Sequence, residues 1–334
     1  MLSRMDPLRL TRELIDIESI TGNEGGVGDY LQKFLSSLGY KAEKMPVEGS
    51  RHNVYATLDG KPDLVFSTHM DTVPPFIPSS EDGENIYGRG SCDAKGIIAA
   101  QIAAAERLRS RTSRIGLLFL VGEERDSQGA KEANQHSPDS RFLINGEPTD
   151  NRIGRASKGT LRVVLTATGR MAHSAYPHLG ESAIEKLVEA LHRLLKMKLP
   201  ENPEIGPTTV NIGLIEGGRA PNVIPDFARA QLLYRLVGDT TELRREIQHA
   251  VEGLATPEFA LEIPYVKLRT VDGVPEMIAA FTTDIPALTN WGEPVLLGPG
   301  SIHVAHTDRE FISKRELTDA VELYVRVANK LLGL

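Results

Sequence analysis

Apolar and polar positions along the first half of the chain fall into blocks of changing period. Val27, Tyr30, Leu31, Phe34, Leu35 and Leu38 recur every three or four residues, which predicts a helix, and Gly39 supplies a left-handed stop. Leu64 to Thr68 is a short apolar run of the kind buried inside a sheet. An alanine-rich helix is predicted from about Lys95 to Leu108, then an apolar strand at Ile115–Val121, a polar helix near Ser127–Gln135 and a strand at Phe142–Asn145. This alternation predicts an α/β fold, a mostly parallel sheet sandwiched by helices.

From Gly159 the rhythm changes. Strands are expected at Thr160–Thr168, Thr208–Ile215, Phe227–Arg235 and Leu261–Lys267, with helices at Glu181–Lys196 and Thr241–Gly253. That order, βαββαβ, is a ferredoxin-like unit, read here as a second domain inserted into the first. The expected division is 1–158 with 268–334 for the first domain and 159–267 for the insert. A strand at Val295–Leu297 and a last helix return the chain to the first domain. Ser313 and Glu316 stand in capping-box spacing at that helix, and its apolar stripe runs through Leu317, Val321, Tyr324, Ala328 and Leu331.

Length and composition agree with two domains: 334 residues, 40% hydrophobic and 25% charged. The net charge of -7 is spread along the chain, with no basic stripe for nucleic acid and no polybasic membrane anchor. Arg4, Asp6 and Arg9 interrupt any signal-like apolar run, and no apolar stretch is long enough to span a membrane. The single cysteine, Cys92, excludes an internal disulfide and reads as a packing residue. A cytoplasmic protein is expected.

Candidate chemistry lies at the ends of the apolar strands. In Ser67-Thr68-His69-Met70-Asp71, His69 and Asp71 share a side of an extended segment, so the carboxylate can orient the imidazole for a metal; the simpler reading is a surface ion pair. In Tyr87-Gly88-Arg89-Gly90-Ser91-Cys92-Asp93-Ala94-Lys95-Gly96, glycines bend the backbone around Asp93, which serves either a metal or the following helix N-terminus. Walker and dinucleotide spacings are absent. Glu123 and Glu124 follow the strand Ile115–Val121. In extended backbone they diverge, one toward a metal and one toward a water; otherwise they form a solvated acidic loop with Arg125 as counter-ion. Glu147 follows another apolar strand, and His306 lies near the C-terminal end. Parallel strands direct their C-terminal ends to one edge, where His69, Asp93, Glu124, Glu147 and His306 can meet. Two histidines and three carboxylates suffice for two metals sharing one carboxylate.

With these motifs in order, S-T-H-M-D-T-V-P, Y-G-R-G-S-C-D-A-K-G, G-E-E, N-G-E-P-T, H-S-A-Y-P-H, N-V-I-P and G-P-G through A-H-T-D, the chain resembles the M20 metallopeptidases. The resemblance is to the acetylornithine deacetylase and succinyl-diaminopimelate desuccinylase branch in particular, enzymes of the zinc-exopeptidase fold. It implies His69, Asp93 and Glu147 on one metal and Asp93, Glu124 and His306 on the second. Zinc is the implied ion, one or two per chain, with cobalt or manganese able to substitute. Glu147, where some branches carry Asp, suits the deacetylase side. The resemblance makes Asp71 the partner of His69, Glu123 the general base, and the peptide after Asp93 cis. It makes the insert a lid that often forms a homodimer, with His173 stabilising the oxyanion, in some members across the dimer. Asn222 and Arg235, with Lys158 as a weaker candidate, would hold a substrate carboxylate, and Gly300 would approach the substrate. His178 and His303 match no ligand position and read as structural.

The implied reaction removes the acyl group from a small N-acyl amino acid, N-acetylornithine first, as in arginine biosynthesis; the succinyl-diaminopimelate, acetyl-citrulline and acetyl-lysine substrates remain open. The chain is short for this branch, and Asp308 replaces a more usual proline-containing segment, so pocket-shaping loops differ. A dipeptidase or aminopeptidase of the same family is the first alternative, and a non-catalytic binding protein the second. Such binding relatives usually lose a ligand or the base, whereas His69, Asp93, Glu123, Glu124, Glu147 and His306 are all present here.

Overall fold

The computed structural model describes residues 5–334, so Arg4 lies outside it. In chain order the principal elements are α1 (Pro7–Ile15), α2 (Gly25–Ser37), β1 (Lys41–Glu48), β2 (Arg51–Thr57), β3 (Leu64–His69), α3 (Lys95–Leu108), β4 (Ile115–Leu120), α4 (Gln128–Ala133), β5 (Phe142–Asn145) and β6 (Ile153–Ser157). There follow β7 (Gly159–Thr168), α5 (Ala183–Lys196), β8 (Thr209–Gly217), β9 (Phe227–Leu236), α6 (Thr241–Ala250), β10 (Thr256–Ile263), β11 (Glu293–Leu296) and α7 (Lys314–Leu332). Contacts gather the chain into two compact units. One holds residues up to Arg155, Lys267–Met277 and Thr283–Leu334; the other holds Ala156–Val266 and Ile278–Thr282.

In the first unit the sheet runs β1-β2-β4-β3-β5-β11-β6. Its centre, β4, β3, β5 and β11, is parallel, and antiparallel strands flank it on both sides. β3, β4 and β5 are buried at every position because both faces of the sheet are covered, and their residues are largely apolar. Leu64, Phe66, Leu117, Phe119 and Ile144 face the core formed with α1, α2, α3 and α7, while Val65, Leu118, Leu120 and Leu143 face Ala130, Ala133 and Trp291. α3 packs against both α1 and α7 and is buried on nearly every side, which explains its run of alanines. The last helix is capped as its sequence predicts: Ser313 Oγ accepts the Glu316 amide at 3.4 Å, and the whole stripe Leu317, Val321, Tyr324, Ala328, Leu331 is buried.

The second unit follows the order βαββαβ, and its antiparallel sheet runs β8-β9-β7-β10. Leu161, Val163, Leu165, Leu232 and Tyr234 close its core against Leu187, Leu191 and Leu194 of α5 and Leu243 and Ile247 of α6. Its fourth strand departs from expectation. The pairing strand is Thr256–Ile263 rather than Leu261–Lys267, with Pro257 opposite Leu165 and a separate short strand at Val266–Lys267. Proline is tolerated there because β10 lies at the sheet edge. The polar helix after Ser127 is also shorter than predicted, and α5 starts at Ala183 because Ser182 Oγ caps it through the Glu185 amide. No helix among the described residues is long and apolar enough to cross a membrane.

Candidate metal centre

β3 delivers His69 at its last residue, where the side chain is 1% exposed. Nδ1 donates to the Asp71 carbonyl oxygen at 3.0 Å, which leaves Nε2 to face Asp93 Oδ1 at 2.9 Å. The Asp71 carboxylate is wholly buried. It accepts the Thr21 hydroxyl at 2.8 Å and the amides of Glu123 and Glu124 at 3.1 and 3.2 Å, and Oδ1 lies 3.5 Å from His69 Nδ1. Burial opposes its charge, but the His69 ring, Thr21 and the Glu124 amide together hold it below the usual carboxylate range. One aspartate thus joins the end of β3 to the loop after β4. That loop is a turn and not the extended segment expected, because Asp71 gathers its successive amides.

Asp93 sits beneath a bent loop, with Gly88 and Gly90 at positive φ and the Asp93–Ala94 peptide cis. Helix capping is not its role: the N-cap of α3 is Ala94, without a side-chain bond. Asp93 Oδ1 meets His69, and Oδ2 lies 3.4 Å from His306 Nε2. The same His306 nitrogen is 2.8 Å from Glu124 Oε1. Hydrogen bonds with Asp93 and Glu124 push the His306 imidazole up to about 10, and burial opposed by the two histidines leaves Asp93 well below its ordinary value. His306 itself has a positive φ of 65° and is about half exposed.

Glu147 follows β5 and is 4% exposed, and its Oε1 has no hydrogen-bond partner among the described residues. Burial pushes the carboxyls of Glu147, Glu123 and Glu124 above the ordinary range, and neighbouring carboxylates add to the rise in all three, opposed at Glu124 by its hydrogen bond with His306. His69, Asp93 and Glu124 offer ligand atoms all within 4.8 Å of one another. This donor set fits a divalent cation. It combines imidazole nitrogens with carboxylate oxygens, carries more negative than positive charge in a buried pocket, and includes an oxygen that still lacks a partner. Gly300, also of this unit, has φ +84°, and a Cβ there would lie 2.5 Å from Cys92 Sγ.

The other four candidates belong to the second unit. His173 and Asn222 are exposed neighbours: His173 pairs with Val223, and the Ser174 amide donates to the Asn222 carbonyl. Arg235 lies at the far end of β9, donating to the hydroxyls of Thr160 and Thr282 at 3.0 and 3.2 Å. Lys158 is buried, with Nζ donating to the Pro207 carbonyl. Two groups escaped the reading of the sequence. Asp284, in a Thr-Asp-Ile-Pro stretch that reads as a turn, is buried in the first unit. Arg89 lies inside a motif already singled out and Glu310 two residues beyond another, but nothing in their spacing marks them as a pair.

The model of peptidase family M20/M25/M40 matches residues 65–330. A peptidase M20 domain-containing protein of Schizosaccharomyces pombe is 38% identical, over 96% of this chain and 83% of its own length. A protein named probable carboxypeptidase from Aspergillus terreus is also 38% identical, over 95% and 84%. Among solved structures, a tripeptidase from Staphylococcus aureus superposes with a TM-score of 0.81 at 23% identity, covering 97% of this chain and 98% of that one.

Proposed function

The chain belongs to peptidase family M20/M25/M40, and on that premise we propose that it hydrolyses the amide joining an acyl group to a small amino acid with a free carboxylate. The observation that carries this reading is Asp93 lying between two histidines, one carboxylate oxygen toward each. His69, Asp93 and Glu147 would hold one divalent ion, and Asp93, Glu124 and His306 a second. Zinc suits these donors best, with cobalt or manganese as substitutes. When bound, such ions bring a water's pKa toward neutrality and polarise the scissile carbonyl.

The rest is work for side chains. Glu123, whose amide is fixed by Asp71, accepts the proton of the attacking water and passes it to the leaving amine. Asp71 keeps the His69 ring in place. His173 donates to the developing oxyanion, a contribution of about 3–4 kcal/mol for a well-placed donor. Arg235, Asn222 and Lys158 hold the substrate carboxylate, for which a guanidinium offers two parallel N–H bonds, and Gly300 lets backbone approach the substrate.

N-acetylornithine is the first substrate to try. The names of the fungal relatives favour a second reading, a carboxypeptidase or dipeptidase, in which the same machinery releases a C-terminal amino acid. The two differ only in what stands on the acyl side. The test is metal-stripped protein reloaded with zinc or cobalt and assayed for amine release from N-acetylornithine, succinyl-diaminopimelate, other N-acyl amino acids and short peptides. Metal-dependent release from N-acyl amino acids supports the first reading, and release from peptides alone replaces it with the second. Glu123→Gln should keep its metal and lose roughly 10²–10⁴-fold in kcat; wild-type turnover would remove Glu123 as the base.

A further inference from the structure

Arg89 and Glu310 take no part in the chemistry above, yet each is 2% exposed. Glu310 Oε1 accepts three backbone amides, those of Gly90 at 3.0 Å, Cys92 at 3.1 Å and Asp93 at 3.0 Å. Its Oε2 accepts Arg89 Nη1 at 2.7 Å, and the same nitrogen donates to the Thr307 carbonyl at 3.1 Å. A backbone bond closes the arrangement, from the Gly88 amide to the Glu310 carbonyl at 3.1 Å. The bend at Gly88 and Gly90 turns these amides inward, away from any strand partner, and a single carboxylate oxygen satisfies all three.

An ion pair kept only for stability would have no need of the amide of Asp93 itself. This pair ties the loop carrying Asp93 to the segment carrying His306, two stretches more than two hundred residues apart in sequence. The other ligands are held by different means. His69 is fixed by β3 and Asp71, and Glu147 by the end of β5.

We infer that Arg89 and Glu310 are positioning residues that set Asp93 against His306, and so decide whether the second metal position, Asp93 with Glu124 and His306, can form. This rests on the metal-centre reading. Glu310→Gln preserves shape but places an amide N–H₂ where a carboxylate oxygen now faces either Arg89 or the loop amides. Stripped wild-type and variant proteins are titrated with Co²⁺ and Zn²⁺ against a competing chelator, following the visible cobalt spectrum, with melting followed by circular dichroism.

The expected result is one ion bound as in wild type and the other weakened roughly 10–100-fold, as is common when a residue behind a metal ligand is changed. Breaking a buried ion pair can unfold a protein, so Arg89→Lys, which leaves Glu310 a cation but loses the planar fork, decides the matter if Glu310→Gln does not fold. The same selective weakening is expected there. Two ions bound with wild-type affinity in a folded variant would overturn the inference, as would equal weakening of both. A wild-type protein that binds no ion would overturn the metal-centre reading itself, so the two failures are separable.

Discussion

Asp284 opens the short helical turn Ile285–Ala287 at 1% exposure, and neither of its carboxylate oxygens has a hydrogen-bond partner among the described residues. Burial pushes its carboxyl up to about 7, with the Ser127 side chain, His69 and Lys131 opposing the rise and Asp71 adding to it. The folded protein therefore keeps a proton that the unfolded chain releases from about pH 4 upward. Stability from this group is full below pH 4 and falls as pH rises toward 7. In metal-free protein, Asp284→Asn should remove that fall, gaining on the order of 2–4 kcal/mol over wild type between pH 5 and 8. Urea midpoints across that range test this, and parallel curves for the two proteins would refute it. His69 and Glu124, which the fold brings together, could be picked out as candidates because each stands at or just after the end of an apolar strand, where a polar group stands out. Asp284 could not, because its burial comes from packing that no local pattern records.

At the scale of elements, the ends of β5 and β11 are stapled together. The Gly298 amide donates to Thr149 Oγ1 at 2.9 Å, and that hydroxyl donates to the Gly298 carbonyl at 3.1 Å. A Cβ at Gly298 would lie 2.4 Å from the Glu147 carbonyl oxygen, so this glycine is required by close backbone approach. Gly298→Ala should displace the Glu147 loop, costing roughly 1–3 kcal/mol of stability and weakening metal binding. Thermal melting and metal titration check both effects, and an unchanged melting point would mean the loop yields freely. The central strands were readable from sequence because burial on two faces leaves each with a short apolar run. The β1–β2 hairpin was not: Lys41, Glu43, Lys44 and Glu48 give β1 no apolar face to detect. The start of β10 is masked in the sequence by Pro257, a residue that usually interrupts a strand.

Considered as a whole molecule, the chain poses a problem of reach. Arg235 pairs with Thr160 at one end of the second unit's sheet, whereas Phe227, near Asn222 and His173, pairs with Thr168 at the other. Eight residues of strand separate the two ends, roughly 25 Å, more than one small substrate spans. If both ends serve one substrate, His173 and Asn222 come from a second copy of the chain. In the proposed homodimer, the edge strand β8, with Leu214 and Ile215 exposed, and the exposed Ile184 and Val188 of α5 would supply the apolar surface. Glu123→Gln and His173→Ala should each be inactive alone yet recover activity on mixing, since a mixed dimer restores one complete site. No recovery in verified mixed dimers would confine each site to one chain. The order of the central sheet also has a consequence for synthesis on the ribosome. β11 fills the place between β5 and β6, and Glu310 follows it, so a nascent chain of 290 residues holds the Asp93 loop without the acceptor its amides need. A growing polypeptide therefore cannot close the Asp93 loop on its acceptor until translation has passed residue 310.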